Sequence, residues 1–368
     1  MKKITKTILT MLPMLAVGFV CGLLIGKYAL DAESRGIPGG LLGAIALLFA
    51  GFVLALYLQT AVHEAGHLVC GLLTGYRFCS YRLGSLMLLR EDGRFKLRRL
   101  KIAGTAGQCL MAPPPWTEDL PVTLYNAGGC LMNLLCAALC LLLWLPLRQH
   151  WLGALPLVCA VVGLGFALIN GIPMRLGGVD NDGRNILSLK KDPVARYAFW
   201  QQMKVSEKQS KGLRLCQMPE LLFDYPADGL DNPLVASIAV FACNRLLDQG
   251  KISEARAAME ALLTCKSGLP GLYRSLLTCD LLCCRLLEGD TAGAKELITP
   301  AWTQFCKSMK TFPSVQRTQY FRAKLLEGDQ SAAEKALAAF EKTAKTYPYP
   351  AEIEGERELL ALAEGAAV

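Results

Sequence analysis

His63, Glu64 and His67 are the residues of this chain whose types and spacing best suit chemistry. In the run His63-Glu64-Ala65-Gly66-His67 the two histidines lie one helical turn apart and share a face. Both imidazoles can then reach one metal ion, and Glu64 stands beside it as a general base. The ion that suits this arrangement is Zn2+. Two core histidines on a buried helix are the plain alternative. They explain poorly why a chain with 3 histidines places two of them in this motif. Residues 40–62, just before the motif, carry no charge. A zinc-type motif at the end of an apolar run predicts peptide hydrolysis in or beside a bilayer.

The elements that must position these residues are membrane spans. Hydrophobic residues make up 53% of the chain, above the usual soluble composition. They concentrate in residues 8–74 and 125–173, whereas 186–368 reads as an ordinary soluble sequence. Four spans are expected, at about 8–30, 40–74, 125–147 and 151–173, each near the length of about 20 residues that a crossing needs. The first follows Met-Lys-Lys-Ile-Thr-Lys. It is long for a secretory signal and lacks a clear small-residue cleavage site, so it is expected to stay as an anchor. Residues 148–150 make a tight turn between the last two spans.

Basic residues set the expected orientation. Arg77, Arg82, Arg90, Arg94, Lys96, Arg98, Arg99 and Lys101 face only Glu91 and Asp92 in one loop, which places that loop in the cytoplasm. Lys2, Lys3 and Lys6 place the N-terminus there, and four spans return the C-terminus to the same side. The cell membrane, with both termini cytoplasmic, is the expected location. The net charge of +8 is then a membrane-flanking feature, and no nucleic-acid partner is expected. The 15 cysteines include no paired CxxC spacing and suit a reducing compartment. Within the loop, residues 81–90 and 94–102 read as two strands around Asp92-Gly93. The hairpin either receives an extended substrate by strand addition or is structural.

A zinc hydrolase needs a third protein ligand. His150 falls on the wrong side of the membrane in this topology. Asp180 and Asp182, just after the last span, return to the depth of the two histidines. By position alone both stay open, with a polar loop cap as their plain role.

At this point the sequence resembles the site-2 protease family of intramembrane zinc metalloproteases, over roughly residues 40–187. The resemblance rests on HEAGH at 63–67, on Gly129-Cys130-Leu131-Met132-Asn133, and on Asn170, Pro173, Asp182 and Gly183. Asn133 matches the asparagine of the family's Gly-Pro-x-x-Asn element, with Cys130 where proline is usual. Asn170 and Pro173 match an Asn-x-x-Pro element. Asp182-Gly183 matches an Asp-Gly whose aspartate binds zinc, although the stretch from Pro173 to Asp182 is longer than the common pattern and leaves Asp180 as a rival. The resemblance implies zinc held by His63, His67 and Asp182, with Glu64 moving the proton from water to the leaving amine. Asn133 and Asn170 would donate to an oxyanion or to substrate backbone. A structural bond between helices is the alternative for each.

The chain thus divides into a membrane-embedded zinc metalloprotease domain (1–185), a junction (186–229) and a cytoplasmic all-α domain (230–368). In the last, Gly250, Gly289 and Gly328 recur every 39 residues, each after a Leu-Leu helix end and before an Ala-rich helix. The pattern is weakly similar to tetratricopeptide-type helix pairs and would suit a protein partner, a plain bundle being the alternative. The expected fold is an α-helical multi-pass membrane protein with about four transmembrane helices, a small cytoplasmic β-hairpin and this helical-repeat-like domain. The expected activity is hydrolysis of a membrane-anchored protein or peptide near the cytoplasmic face. The competing reading is a non-catalytic membrane scaffold with a relic zinc site, which the intact HEAGH disfavours.

Overall fold

The computed structural model describes residues 12, 15–20, 22–24, 26, 27, 30, 31, 34, 36–91, 93–102, 105–176 and 179–365. The chain is mostly helical. Among the described residues, three helices are long and apolar enough to cross a membrane. The expected span at 8–30 lies partly outside the described residues; of it, residues 15–20 and 22–24 are helical.

The chain forms two compact units. The first comprises residues up to 76 with 119–176 and 180–191, and the second comprises 77–118, 177–179 and 192–368.

In the first unit, α1 runs from Gly40 to Leu73. An unbroken apolar run without proline leaves the helix as the way to satisfy its backbone groups away from water. Its 34 residues exceed the roughly 20 that a crossing needs. The histidine motif sits in its last three turns. After α1 come α2 (Val122–Leu147) and α3 (Ala154–Gly171). The chain reverses between them through a short 3-10 turn, Trp151–Gly153. A side chain at Gly153 would come 2.2 Å from the Leu147 carbonyl, so this reversal requires glycine. All three helices pack on one another. Leu48, Ala55, Leu157, Val158 and Val162 form their shared core. Leu42, Phe49, Leu54 and Leu142 point outward and are exposed. Helices apolar on both inner and outer faces are those that lipid can cover.

The second unit holds a four-stranded antiparallel sheet: β1 (Arg77–Leu83), β2 (Leu86–Glu91), β3 (Arg94–Arg99) and β4 (Gly107–Ala112), in the order β3-β2-β1-β4. β2 and β3 pair with Glu91 opposite Arg94, and Gly93 just before β3 has positive φ (78°). The expectation of a simple hairpin is corrected in two ways. Residues 81–90 are not one strand, because Gly84 takes a left-handed conformation (φ 59°) and turns the chain between β1 and β2. A fourth strand also pairs with β1 along its length, through a bulge between Phe78 and Ser80. That pairing is long-range, and no local turn signals it.

Helix α4 (Asp182–Lys191) ends the first unit; α5 (Pro193–Ser210), α6 (Pro233–Asp248), α7 (Ile252–Thr264), α8 (Gly271–Leu287), α9 (Thr291–Glu296), α10 (Pro300–Ser308), α11 (Pro313–Phe321), α12 (Gln330–Ala344) and α13 (Pro350–Gly365) belong to the second. Met87 and Leu100 of the sheet region share one apolar core with Leu262, Leu277, Phe321 and Phe340. The 39-residue recurrence is visible as helix–glycine–helix units. Gly250, Gly289 and Gly328 all have positive φ (72°, 77°, 66°), the conformation that ends a helix at little steric cost for glycine. Asp290 and Asp329 then cap the following helices through their side chains.

Candidate metal centre

Three side chains from distant parts of the first unit converge. His63 and His67 lie on successive turns of α1, both buried, with Nε2 atoms 3.2 Å apart. Asp182 opens α4, and its Oδ2 lies 3.1 Å from His63 Nε2 and 3.5 Å from His67 Nε2.

Close backbone approach makes this possible. A side chain at Gly66 would come 2.2 Å from the Gly128 carbonyl, and one at Gly128 would come 2.3 Å from the Gly66 carbonyl. The α1–α2 crossing therefore depends on paired glycines. A side chain at Gly129 would strike the His63 ring at 2.4 Å. Gly183 presses on the end of α3, where a side chain would meet the Gly171 carbonyl at 2.0 Å. Asn181 ties the loop before Asp182. Its Oδ1 accepts from the backbone N–H of Met174 and Arg184, and its Nδ2 donates to the carbonyls of Ile169 and Ile172.

The outer nitrogens of the two imidazoles fix their tautomers. His67 Nδ1 lies 2.9 Å from the Tyr125 carbonyl, which can only accept, so Nδ1 carries the proton. Asn133 donates through Nδ2 to the Gln59 carbonyl (2.9 Å) and to Gln59 Oε1 (2.8 Å). This turns Asn133 Oδ1 toward His63 Nδ1, at 2.8 Å, and makes that nitrogen a donor too. The assignment follows from the hydrogen-bond network. Both Nε2 atoms are left with lone pairs facing one carboxylate oxygen.

Such a cluster of acceptors is repulsive in a buried place unless a cation lies among them. Asp182 Oδ2 is buried with no hydrogen-bond donor among the described residues. The three atoms surround a point roughly 1.9 Å from each, close to the bond length of about 2.0–2.1 Å that zinc forms with nitrogen and oxygen. Two neutral imidazoles and a carboxylate therefore fit a divalent ion of the zinc class, with outer partners of the kind that orient metal-binding histidines.

The other candidates fall elsewhere. Asp180 is paired with Arg175 (2.6 Å) and Arg184 (3.0 Å) and is not part of the cluster. Asn133 serves His63 rather than an oxyanion or substrate, because its amide hydrogens are both committed to Gln59. Asn170 turns back on its own helix and donates to the Phe166 carbonyl at 3.0 Å. His150 is exposed and accepts from the Leu152 N–H at the turn between α2 and α3. Glu64 is half-buried on α1, next to His63. Gln59, one turn before His63, was not among the expected site residues. Its signal was a lone amide in an otherwise apolar helix. Comparisons of this chain with protein-family models, curated proteins and solved structures found no match.

Proposed function

We propose that this chain is an intramembrane zinc metalloprotease of the site-2 protease type, which hydrolyses a membrane-anchored protein or peptide near the cytoplasmic face. One observation carries the reading: His63, His67 and Asp182 bring three lone-pair atoms together, with both imidazole tautomers fixed for metal binding. Zinc, when bound, supplies Lewis acidity that activates water and polarises a carbonyl. The chain's own residues do the rest. Glu64 takes a proton from the attacking water and returns it to the departing amine, so that one water and one peptide bond yield an acid and an amine. Asn133 and the Tyr125 carbonyl hold the imidazoles in register. The apolar spans α1, α2 and α3 suit a substrate that is itself anchored in lipid. The basic residues of β1 to β3 support a cytoplasmic orientation for that segment. The helix pairs of the second unit would offer a surface to a protein partner.

Metal analysis of the full chain, purified in detergent, tests this reading. Wild type is expected to hold one zinc, and His67→Ala to lose it. Asp182→Ala should weaken zinc binding more than Asp180→Ala. Stoichiometric zinc in His67→Ala would remove the site. The reverse order between the aspartates would move the third ligand to Asp180.

A further inference from the structure

Gln59 is fully buried on α1, one turn before His63, and so is Asn133 on α2. Burying two amides in an apolar helix bundle is unfavourable unless every polar atom finds a partner. Here they satisfy each other in a directed chain. Gln59 Nε2 donates to the Cys159 carbonyl (3.1 Å) and toward the sulfurs of Cys159 (3.3 Å) and Cys136 (3.4 Å). The carbonyl accepts only, so this contact fixes which end of the Gln59 amide faces α3. Its Oε1 then faces Asn133 Nδ2, which also donates to the Gln59 backbone carbonyl (2.9 Å), and Asn133 Oδ1 faces His63 Nδ1.

We infer that Gln59 is a positioning residue for the metal centre, acting on His63 through Asn133. The inference rests on the zinc reading above. A rotated Asn133 amide would present an N–H to His63 Nδ1. The ring would then answer by moving its proton to Nε2, the atom that must carry the lone pair. The Gln59 backbone carbonyl and, through the Gln59 side chain, a backbone carbonyl of α3 thereby act together on the protonation pattern of a histidine on α1, with Asn133 as the last link. Gly163 leaves room for this. A side chain there would come 2.7 Å from Gln59 Nε2. Outer partners of metal-binding histidines typically alter metal affinity by about 10–100-fold, and a relay that sets the tautomer belongs to that class.

The test uses the full chain in detergent, with zinc affinity measured by chelator competition and the absorption spectrum of Co(II) as a probe of ligand geometry. Gln59→Met, similar in length, is expected to weaken zinc binding by roughly 10–100-fold and to change the Co(II) spectrum. Gln59→Leu, of different shape, should do the same and stands in if the first variant fails to fold. Gln59→Glu, protonated in this apolar setting, keeps a donor and an acceptor and should recover most of the affinity. In an Asn133→Leu background, Gln59→Met should have little further effect, because the two residues act in series. Wild-type affinity and spectrum in both apolar variants would overturn the inference while leaving the zinc site standing. Full additivity with Asn133→Leu would overturn the relay. Wild-type protein that takes up no zinc would instead overturn the underlying reading.

Discussion

Glu64→Gln is expected to leave folding and zinc content nearly unchanged while lowering peptide hydrolysis by roughly 10²–10⁴-fold, the usual scale for a positioned acid–base group. Glutamine keeps the size of the side chain and its capacity for hydrogen bonds but cannot take a proton from water. Glu64 lies beside His63, half-buried, in a helix that carries no other acidic residue. A carboxylate in an apolar helix is costly, and the proposed proton transfer would give it a role. The measurement compares wild type and mutant on single-span, membrane-anchored substrates, with zinc content determined on the same preparations. Cleavage by the mutant at the wild-type rate would show that Glu64 is not the base. Loss of zinc from the mutant would assign it a structural role instead.

The second large effect is expected in the other unit. Arg317 of α11 is almost wholly buried and pairs with Asp280 of α8 and with Glu356 of α13, the latter at 3.1 Å. One guanidinium thus ties three helices together. Arg317→Ala leaves two buried carboxyls without their cation, a change that typically costs about 3–5 kcal/mol. Burial already pushes Glu356 up to about 7 and raises Asp280, with Arg317 opposing both shifts. Glu352 is likewise raised to about 7 by burial. A carboxyl whose folded pKa lies above its unfolded value binds extra protons in the folded state. Its stabilising contribution is therefore complete below the unfolded pKa and falls as pH rises through the folded one. The stability of wild type should decline between about pH 5 and 8. The Arg317→Ala defect should be greatest at the upper end, where each buried carboxyl must either carry an unpaired charge or take up a proton that is scarce in solution. Unfolding followed at pH 5 and pH 8 checks this. Replacing all three residues by apolar side chains should restore much of the loss, as buried ion groups often allow. A defect equal at both pH values would mean that lost packing, rather than unpaired charge, causes it.

The sequence by itself determined the helices and the histidine pair. Long apolar runs, free of proline in α1 and with proline only near one end of α2 (Pro146) and of α3 (Pro156), form helices because a backbone away from water must satisfy its own hydrogen bonds. The helical repeat places His63 and His67 on one face for the same local reason. The glycines at 250, 289 and 328 marked helix ends, because a left-handed residue after a helix is usually glycine. Two segments went differently. The run expected as one strand is broken by the left-handed Gly84, and β4 joins the sheet through a pairing between residues far apart in sequence.

What only the tertiary structure decided is which polar atom meets which. Asp180 and Asp182 are equivalent by composition and nearly so by position. Packing of Gly183 on the end of α3 brings Asp182 to the histidines, while Arg175 and Arg184 hold Asp180 in an ion pair. Asn133, expected to face a substrate, faces His63 because Gln59 takes both of its amide hydrogens. Residue types and spacing name the groups able to do chemistry. Their pairing depends on helix crossings that paired glycines allow, set by steric contacts between segments that local sequence does not encode.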